Sequence, residues 1–218
     1  MRKPVIVVIG AGPGVGGQVA GRFGREGYDV ALVSRGADQL ETLADSLAAD
    51  GITTVWDALD VTDAPALTEA VASYGRRFGQ IDVLHFNPSA FRARDPLVLS
   101  VPELLADVAL GVGALLTAVQ AARPFMTAGG RVTVTGSSAA DHPSHVAPSL
   151  GVQKAGLRNL VLSLDQALAP DGIRAVSVTV RGVLAEEGPL SPPHVAEAIF
   201  AASRQPEGDW QAEVSYPA

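Results

Sequence analysis

The sequence contains no cysteine among its 218 residues, which excludes disulfide bonds, thiolate metal sites and cysteine nucleophiles. Charged residues are few, at 18%, and their balance is acidic, with a formal net charge of -7. That sign argues against a surface for nucleic acid or for anionic lipid. A local pocket for a phosphate group remains compatible with it.

Long hydrophobic runs are also missing. The apolar run Val5–Ile9 near the N-terminus is interrupted from Gly10 onward, so it is too short for the core of a signal peptide. No stretch is expected to reach the length of a membrane span. We therefore expect a cytoplasmic protein without a membrane partner.

Strand-like and helix-like segments alternate along the chain. The strands are nearly continuous runs of Val, Ile and Leu, as expected when both faces of a parallel sheet are covered. The pattern predicts a single α/β domain over residues 1–218, with a doubly wound sheet between two helical layers. The predicted strands are 5–9, 28–33, 52–57, 81–85, 131–135, 173–180 and an edge strand within 210–216. The predicted helices are 14–26, 37–49, 63–79, 101–126, 148–168 and 191–203.

A glycine-rich segment connects the first strand to the first helix. Glycine allows a tight turn there, lets the backbone approach a pyrophosphate, and lets the helix pack closely on the sheet. The helix N-terminus then offers unpaired N–H groups to phosphates. The segment predicts a Rossmann-type nucleotide site, with these candidate binding residues: Gly10, Gly12, Gly14, Val15 and Gly16.

The spacing Gly10-x-x-x-Gly14-x-Gly16 resembles that of the short-chain dehydrogenase/reductase family. The resemblance extends from Val5 to about Ser203. It implies binding of a nicotinamide dinucleotide. It further implies cofactor contacts from the following residues: Asp60, Val61, Asn87, Gly182 and Val183.

The second strand ends at Ser34-Arg35, where such a dinucleotide places its adenine ribose. An aspartate here would accept a hydrogen bond from the 2′-hydroxyl group, whereas serine and arginine suit a 2′-phosphate. An exposed loop arginine is the alternative. We expect NADP(H) to be preferred over NAD(H).

The family's catalytic serine and lysine have counterparts in Ser137 and Lys154, with Ser138 as an alternative serine. The resemblance implies that Ser137 hydrogen-bonds the substrate oxygen and that Lys154 holds the nicotinamide ribose. The family's tyrosine, which transfers the substrate proton, stands four residues before the lysine. Here that position is Leu150, which cannot transfer a proton.

Two more positions depart from the family pattern. Ala109 stands where the family has an asparagine that supports a water of the proton relay, and Arg181 replaces a proline near the nicotinamide. Together with Leu150, these changes indicate that residues of the family's proton relay are missing here, whereas the residues that bind the cofactor are retained.

Other groups near this position are candidate proton donors. The loop before Leu150 carries His142 and His145, and histidine is the commonest acid–base group near neutral pH. We expect water or His145 to supply the proton, with His142 and Ser149 as alternatives; a merely solvent-exposed loop is the competing interpretation. Tyr216 of a neighbouring subunit is a further alternative, and no metal site is expected.

Three functions follow from these features. The first is an atypical NADP(H)-dependent oxidoreductase acting on a small carbonyl or hydroxyl compound. The second is a non-redox enzyme, such as an isomerase, dehydratase or cyclase, because fold does not fix function. The third is a non-catalytic nucleotide-binding or partner protein. A homodimer or homotetramer through the helices 101–126 and 148–168 is expected, because both are apolar on more than one face.

Overall fold

A seven-stranded parallel sheet organises the computed structural model, which describes residues 2–217. The strands are β1 Val5–Ile9, β2 Asp29–Ser34, β3 Thr54–Ala58, β4 Val83–Phe86, β5 Arg131–Ser137, β6 Arg174–Val180 and β7 Glu213–Tyr216. The α-helices are α1 Val15–Arg25, α2 Ala37–Ala49, α3 Ala64–Phe78, α4 Val101–Val108, α5 Ala114–Ala122, α6 Pro148–Leu168 and α7 Pro192–Ser203. The predicted doubly wound α/β fold is confirmed, with strand ends that differ by up to three residues from the predicted ones.

The strand order is β3-β2-β1-β4-β5-β6-β7, so the winding direction reverses between β1 and β4. Ligands of open α/β sheets bind at such a switch point, beyond the carboxyl ends of the strands. A backbone hydrogen bond joins the ends of β1 and β4 here: the N–H of Asn87 donates to the carbonyl oxygen of Ile9 at 2.9 Å. The fold thus places the glycine segment and Asn87 at one crevice.

Both faces of the sheet are covered by helices, which explains the nearly unbroken apolar strands. Helices α3, α5 and α6 bury one face, and α1, α2 and α7 bury the other. The five residues of β1 are all buried. Burial on this scale is the main stabilising contribution to such a fold.

The predicted helix 101–126 is divided into segments. Ser100 caps α4 through a reciprocal capping box with Glu103. A π-helical segment, Ala109–Gly113, then separates α4 from α5, and a 3-10 turn covers Arg123–Phe125. The π segment packs tightly on α6, since a Cβ at Gly111 would lie 2.6 Å from Oε1 of Gln153. Wide turns of this kind are frequent at functional sites.

The helical stretch Val101–Phe125 is long and apolar enough to cross a membrane by length and composition. The expectation that no segment reaches that length is therefore wrong for this stretch. Its packing is that of a core helix, because its α5 part buries Leu115, Ala118 and Val119 against the sheet.

Candidate functional site

The glycine segment makes the tight turn that its sequence predicts. Gly10 has a positive φ of 82°, a conformation that favours glycine. Gly16 lies against the turn, since a Cβ there would be 2.4 Å from the carbonyl oxygen of Gly10. By contrast, Gly12 and Gly14 face open space, with no atom within 4 Å of an added Cβ. No described side chain caps α1. The N–H groups of Gly17 and Gln18 donate to carbonyl oxygens of the turn, which leaves those of Val15 and Gly16 without a described backbone partner.

A cavity of about 260 Å³ continues from the glycine turn toward the end of β2. Its lining residues are Gly10, Ser34, Arg35, Val61, Asn87, Pro88, Ser89 and Leu110. Arg35 is exposed at the rim. The side-chain amide of Asn87 donates to the carbonyl oxygen of Gly10 at 3.2 Å. Four predicted cofactor residues besides Gly10 are thus brought together here: Ser34, Arg35, Val61 and Asn87.

Asp60 lies just outside this cavity, in a neighbouring polar cavity that it shares with Arg35. Its carboxylate accepts hydrogen bonds from the backbone and the hydroxyl group of Thr62, at 2.9 and 2.8 Å. These bonds lower the pKa of Asp60. The carboxylate therefore stabilises its own turn, and its contact with a cofactor stays a prediction.

A second cavity, of about 360 Å³, opens on the other side of Asn87. Ser137, Leu150 and Lys154 all line it, together with Gly14, Val15, Thr135, Val180 and Leu184. We call this the catalytic cavity. The structure thus brings together the predicted serine, the predicted lysine and the leucine that stands where a tyrosine was expected.

Lys154 is held at the floor of the catalytic cavity. Its ammonium group donates to the carbonyl oxygen of Thr135 at 2.7 Å, and 5% of the residue is exposed. Burial lowers the pKa of this amine to about 8 from its ordinary 10.5.

Ser137 is the serine that faces the cavity, whereas Ser138 does not line it. The Oγ atom of Ser137 accepts a hydrogen bond from the N–H of Ala139 at 3.2 Å. Its own hydroxyl proton remains available to donate to a ligand oxygen.

Gly182 and Val183 do not line the catalytic cavity. The wall after β6 is formed by Val180 and Leu184, and Val183 is 87% exposed. Arg181 turns away to donate to Asp141 at 2.7 Å and to Ser215. Cofactor contacts of Gly182 and Val183 stay predictions.

The loop before Leu150 does not bring its histidines into the catalytic cavity. His142 and His145 are both exposed and do not line it. Asp141 fixes the start of this loop, because its carboxylate accepts from Arg158 at 2.6 Å and from Arg181. These two arginines lower the pKa of Asp141. Proton transfer by His145 stays a prediction that this geometry does not support.

Tyrosines elsewhere do not replace the missing one within the described chain. Tyr74 is buried, and its hydroxyl group donates to the carbonyl oxygen of Leu32. Tyr216 lies on the edge strand β7 and lines a separate cavity beside α7. Residues 2–217 contain no cluster of three or more potential metal ligands.

A polar cluster behind the catalytic cavity was not predicted. The carboxylate of Asp107 accepts two bonds from Arg92, both at 2.9 Å, and one from the hydroxyl group of Ser149 at 2.7 Å. Gln153, fully buried on α6, bonds the backbone of Ala90. These contacts hold the segment after β4 against α4 and α6. The polar pair Ser149 and Gln153, four positions apart on an otherwise apolar helix face, is the signal that would have found it.

A family model and two related proteins that match this chain are all dehydrogenases or oxidoreductases. A family model described as short chain dehydrogenase matches residues 4–187. The chain is similar to an uncharacterized oxidoreductase of Staphylococcus aureus (strain N315), with 25% identity over 93% of this chain and 92% of the relative. It is also similar to a subunit of (2S)-[(R)-hydroxy(phenyl)methyl]succinyl-CoA dehydrogenase from Thauera aromatica, with 30% identity over 86% of this chain and 75% of the relative.

Among solved structures, the fold matches a short chain dehydrogenase from Burkholderia cenocepacia J2315 in complex with NADP. The TM-score is 0.89 at 24% identity, covering 98% of this chain and 96% of that one. This similarity is one of fold.

Proposed function

The chain belongs to the short-chain dehydrogenase family, and we propose that it is an NADP(H)-dependent oxidoreductase with a non-standard route for the proton. Its substrate would be a small carbonyl or hydroxyl compound. Residues 1–218 would act as one dinucleotide-binding domain. The observation that carries the proposal is the meeting of Ser137, Lys154 and the glycine turn at one crevice.

The residues at the crevice fit a dinucleotide. Open space above Gly12 and Gly14, at the uncapped N-terminus of α1, suits a pyrophosphate. The two cavities meet at Asn87, which lines both and would separate the adenine half from the nicotinamide half. Lys154 would hold the nicotinamide ribose.

Preference for NADP(H) rests on the end of β2. Neither Ser34 nor Arg35 carries a carboxylate that would bond a ribose 2′-hydroxyl group. Arg35 is exposed and lines the adenine-side cavity, where its guanidinium group would bind a 2′-phosphate. The complex of the Burkholderia protein with NADP supports binding of the same class of cofactor.

A bound nicotinamide supplies hydride transfer, and the protein orients and polarises the substrate. The free hydroxyl proton of Ser137 would bond the substrate oxygen in the catalytic cavity. Leu150 adds an apolar wall beside it and no titratable group. The proton therefore comes from a group other than a tyrosine at this position.

Leu150 also favours a second candidate, a non-catalytic nucleotide-binding protein that acts with a partner. The Thauera relative is a subunit of a dehydrogenase, which supports a role in an assembly. A non-redox reaction in the same cavity is the third candidate. Turnover without cofactor oxidation would identify it.

We further propose a soluble, cytoplasmic homodimer or homotetramer. Its contacts would involve the helical segments 101–126 and 148–168, which expose Val101, Leu105, Leu116, Val152 and Leu162. Apolar patches of this kind are typical of protein interfaces.

Ser137→Ala tests the proposed reaction, with Ser138→Ala as the matched control. NADPH oxidation would be followed with diacetyl and benzaldehyde as carbonyl probes. We expect Ser137→Ala to abolish turnover and Ser138→Ala to retain it. Equal turnover in both variants would contradict the assignment of Ser137.

A further inference from the structure

Lys154 has an unusual environment for a lysine side chain. It is buried, and its single hydrogen bond among the described residues is the one to the carbonyl oxygen of Thr135. An ammonium group has three N–H donors, so two remain without a protein partner. Because Lys154 lines the catalytic cavity beside Ser137, these donors are available to ligands there.

No described carboxylate lies within ion-pair distance of Lys154. The acidic residues on the elements that pack against α6, and on α6 itself, are each bound by arginine. These pairs are Asp107 with Arg92, Glu103 with Arg94, Asp141 with Arg158 and Arg181, Glu213 with Arg158, Asp165 with Arg174, and Asp171 with Arg123.

The neighbouring histidine adds no charge beside Lys154. His85 lies fully buried on β4, where its Nδ1 atom is 3.0 Å from the hydroxyl oxygen of Thr133. Burial lowers the pKa of His85 to about 3, so this ring is neutral at neutral pH. The charged form of Lys154 is thus supported by one carbonyl oxygen alone.

An amine in this position exchanges a proton readily near neutral pH. Burial without a counter-charge disfavours the ammonium form and lowers the pKa of Lys154 to about 8. Acid–base groups work best when their pKa lies near the operating pH.

We propose that the ε-amino group of Lys154 is itself the proton donor and acceptor of the reaction, because Leu150 leaves the cavity without a tyrosine. This inference rests on the proposed oxidoreductase function. In reduction, the carbonyl carbon of the substrate would gain a hydride from bound NADPH, which is oxidised to NADP⁺, while the carbonyl oxygen takes a proton from the ammonium group. The product is an alcohol, and the neutral amine regains a proton from the solvent. Oxidation follows the same steps in reverse.

Direct titration of Lys154 is the first test, and the sequence makes it simple. The chain has two lysines, Lys3 and Lys154, so a Lys3→Arg variant labelled with ¹³C-lysine gives one side-chain signal to follow by NMR. We expect a midpoint near pH 8. A midpoint at the ordinary value, about 10.4, would overturn the proposal.

Turnover of Lys154→Arg is the second test, because arginine keeps the positive charge but does not release its proton. NADPH oxidation would be measured with diacetyl and benzaldehyde, and NADPH binding by calorimetry. We expect turnover to fall by at least about 100-fold while the dissociation constant for NADPH changes by less than about tenfold. In the wild type, the pH profile of turnover should have a midpoint that matches the NMR titration.

Three results would overturn the proposal. The first is turnover that persists in Lys154→Arg. The second is loss of turnover in His145→Gln instead. The third is an NADPH-binding wild type that reduces neither probe while Leu150→Tyr does, which would leave Lys154 as a cofactor contact alone. Absence of NADPH binding to the wild type would instead remove the proposed function itself, so the two failures are distinguishable.

Discussion

The side chain of Gln153 and the backbone of Ala90 form a two-way hydrogen-bonded pair. The N–H of Ala90 donates to Oε1 of Gln153 at 3.0 Å, and Nε2 of Gln153 donates to the carbonyl oxygen of Ala90 at 3.1 Å. The same Nε2 atom also donates to the carbonyl oxygen of Ser149. One buried amide thus fixes the segment after β4 to the helix that carries Leu150 and Lys154.

Gln153→Ala should lower the free energy of unfolding by about 2–4 kcal/mol, because it leaves buried backbone groups without partners and opens a cavity. Gln39→Ala is the matched control, since Gln39 is exposed on α2. Urea unfolding followed by circular dichroism measures both. Equal stability of the two variants would show that the Ala90 contact does not order this segment.

Gly16→Ala should destabilise the fold by about 1–3 kcal/mol, because its Cβ would press on the carbonyl oxygen of Gly10. Gly12→Ala should leave stability nearly unchanged, since nothing lies near its Cβ. If the space above Gly12 holds a pyrophosphate, Gly12→Ala will nevertheless weaken NADPH binding. Thermal melting with and without NADPH separates the two effects, and a stable Gly16→Ala variant would argue against the tight turn.

Much of the fold follows from local sequence patterns. The apolar run Val5–Ile9 and the switch to glycine after it predict β1 and the turn into α1, and the structure confirms both. Asp63 and Ser100 cap α3 and α4 as their side chains suggest. Local signals are sufficient here because the spacing of buried apolar residues and the hydrogen bonds of helix caps each involve residues only a few positions apart.

Contacts distant in sequence were not predictable. The π segment that divides helix 101–126 packs at Gly111 against Gln153, about 40 residues later in the chain. The ion pair between Arg92 and Asp107 was likewise not predicted, because in the sequence each residue is typical of an exposed surface charge. The burial of Tyr74 in the core likewise depends on how α3 packs on the sheet.

Acid should destabilise the protein through His85. Its pKa is lowered to about 3 in the fold, so the unfolded chain binds a proton between pH 6.5 and 3 that the folded chain does not. Stability therefore falls as pH falls through this window, by about 2 kcal/mol between pH 6.5 and 5.

His85→Gln should remove this part of the pH dependence, whereas His145→Gln, at an exposed site, should keep it. Urea unfolding at pH 7 and pH 5 gives the comparison. An unchanged slope in His85→Gln would mean that the buried ring does not resist protonation.

Leu105→Arg should disrupt self-association, because Leu105 is 59% exposed on α4 within the proposed interface. Leu97→Arg is the control, since Leu97 is 93% exposed in the loop before α4. Sedimentation velocity should show a smaller species for Leu105→Arg alone. A wild type that is already monomeric would contradict the proposed assembly.

Cofactor preference should depend on Arg35. Replacing it with alanine removes the guanidinium group proposed to bind the 2′-phosphate, at a cost of about 1.5–3 kcal/mol, or roughly 10- to 150-fold in NADPH affinity. NADH lacks that phosphate, so its affinity should change little. Arg76→Ala on α3, whose side chain pairs with Glu69, is the control.

Calorimetric titration of the wild-type protein with NADPH tests the central claim most directly, with NADH and the Arg35→Ala variant measured alongside. The account predicts NADPH binding that is tighter than NADH binding and weakens selectively in Arg35→Ala. Absence of binding by either nucleotide would contradict it, since the glycine turn and the crevice at Asn87 would then have a structural role alone.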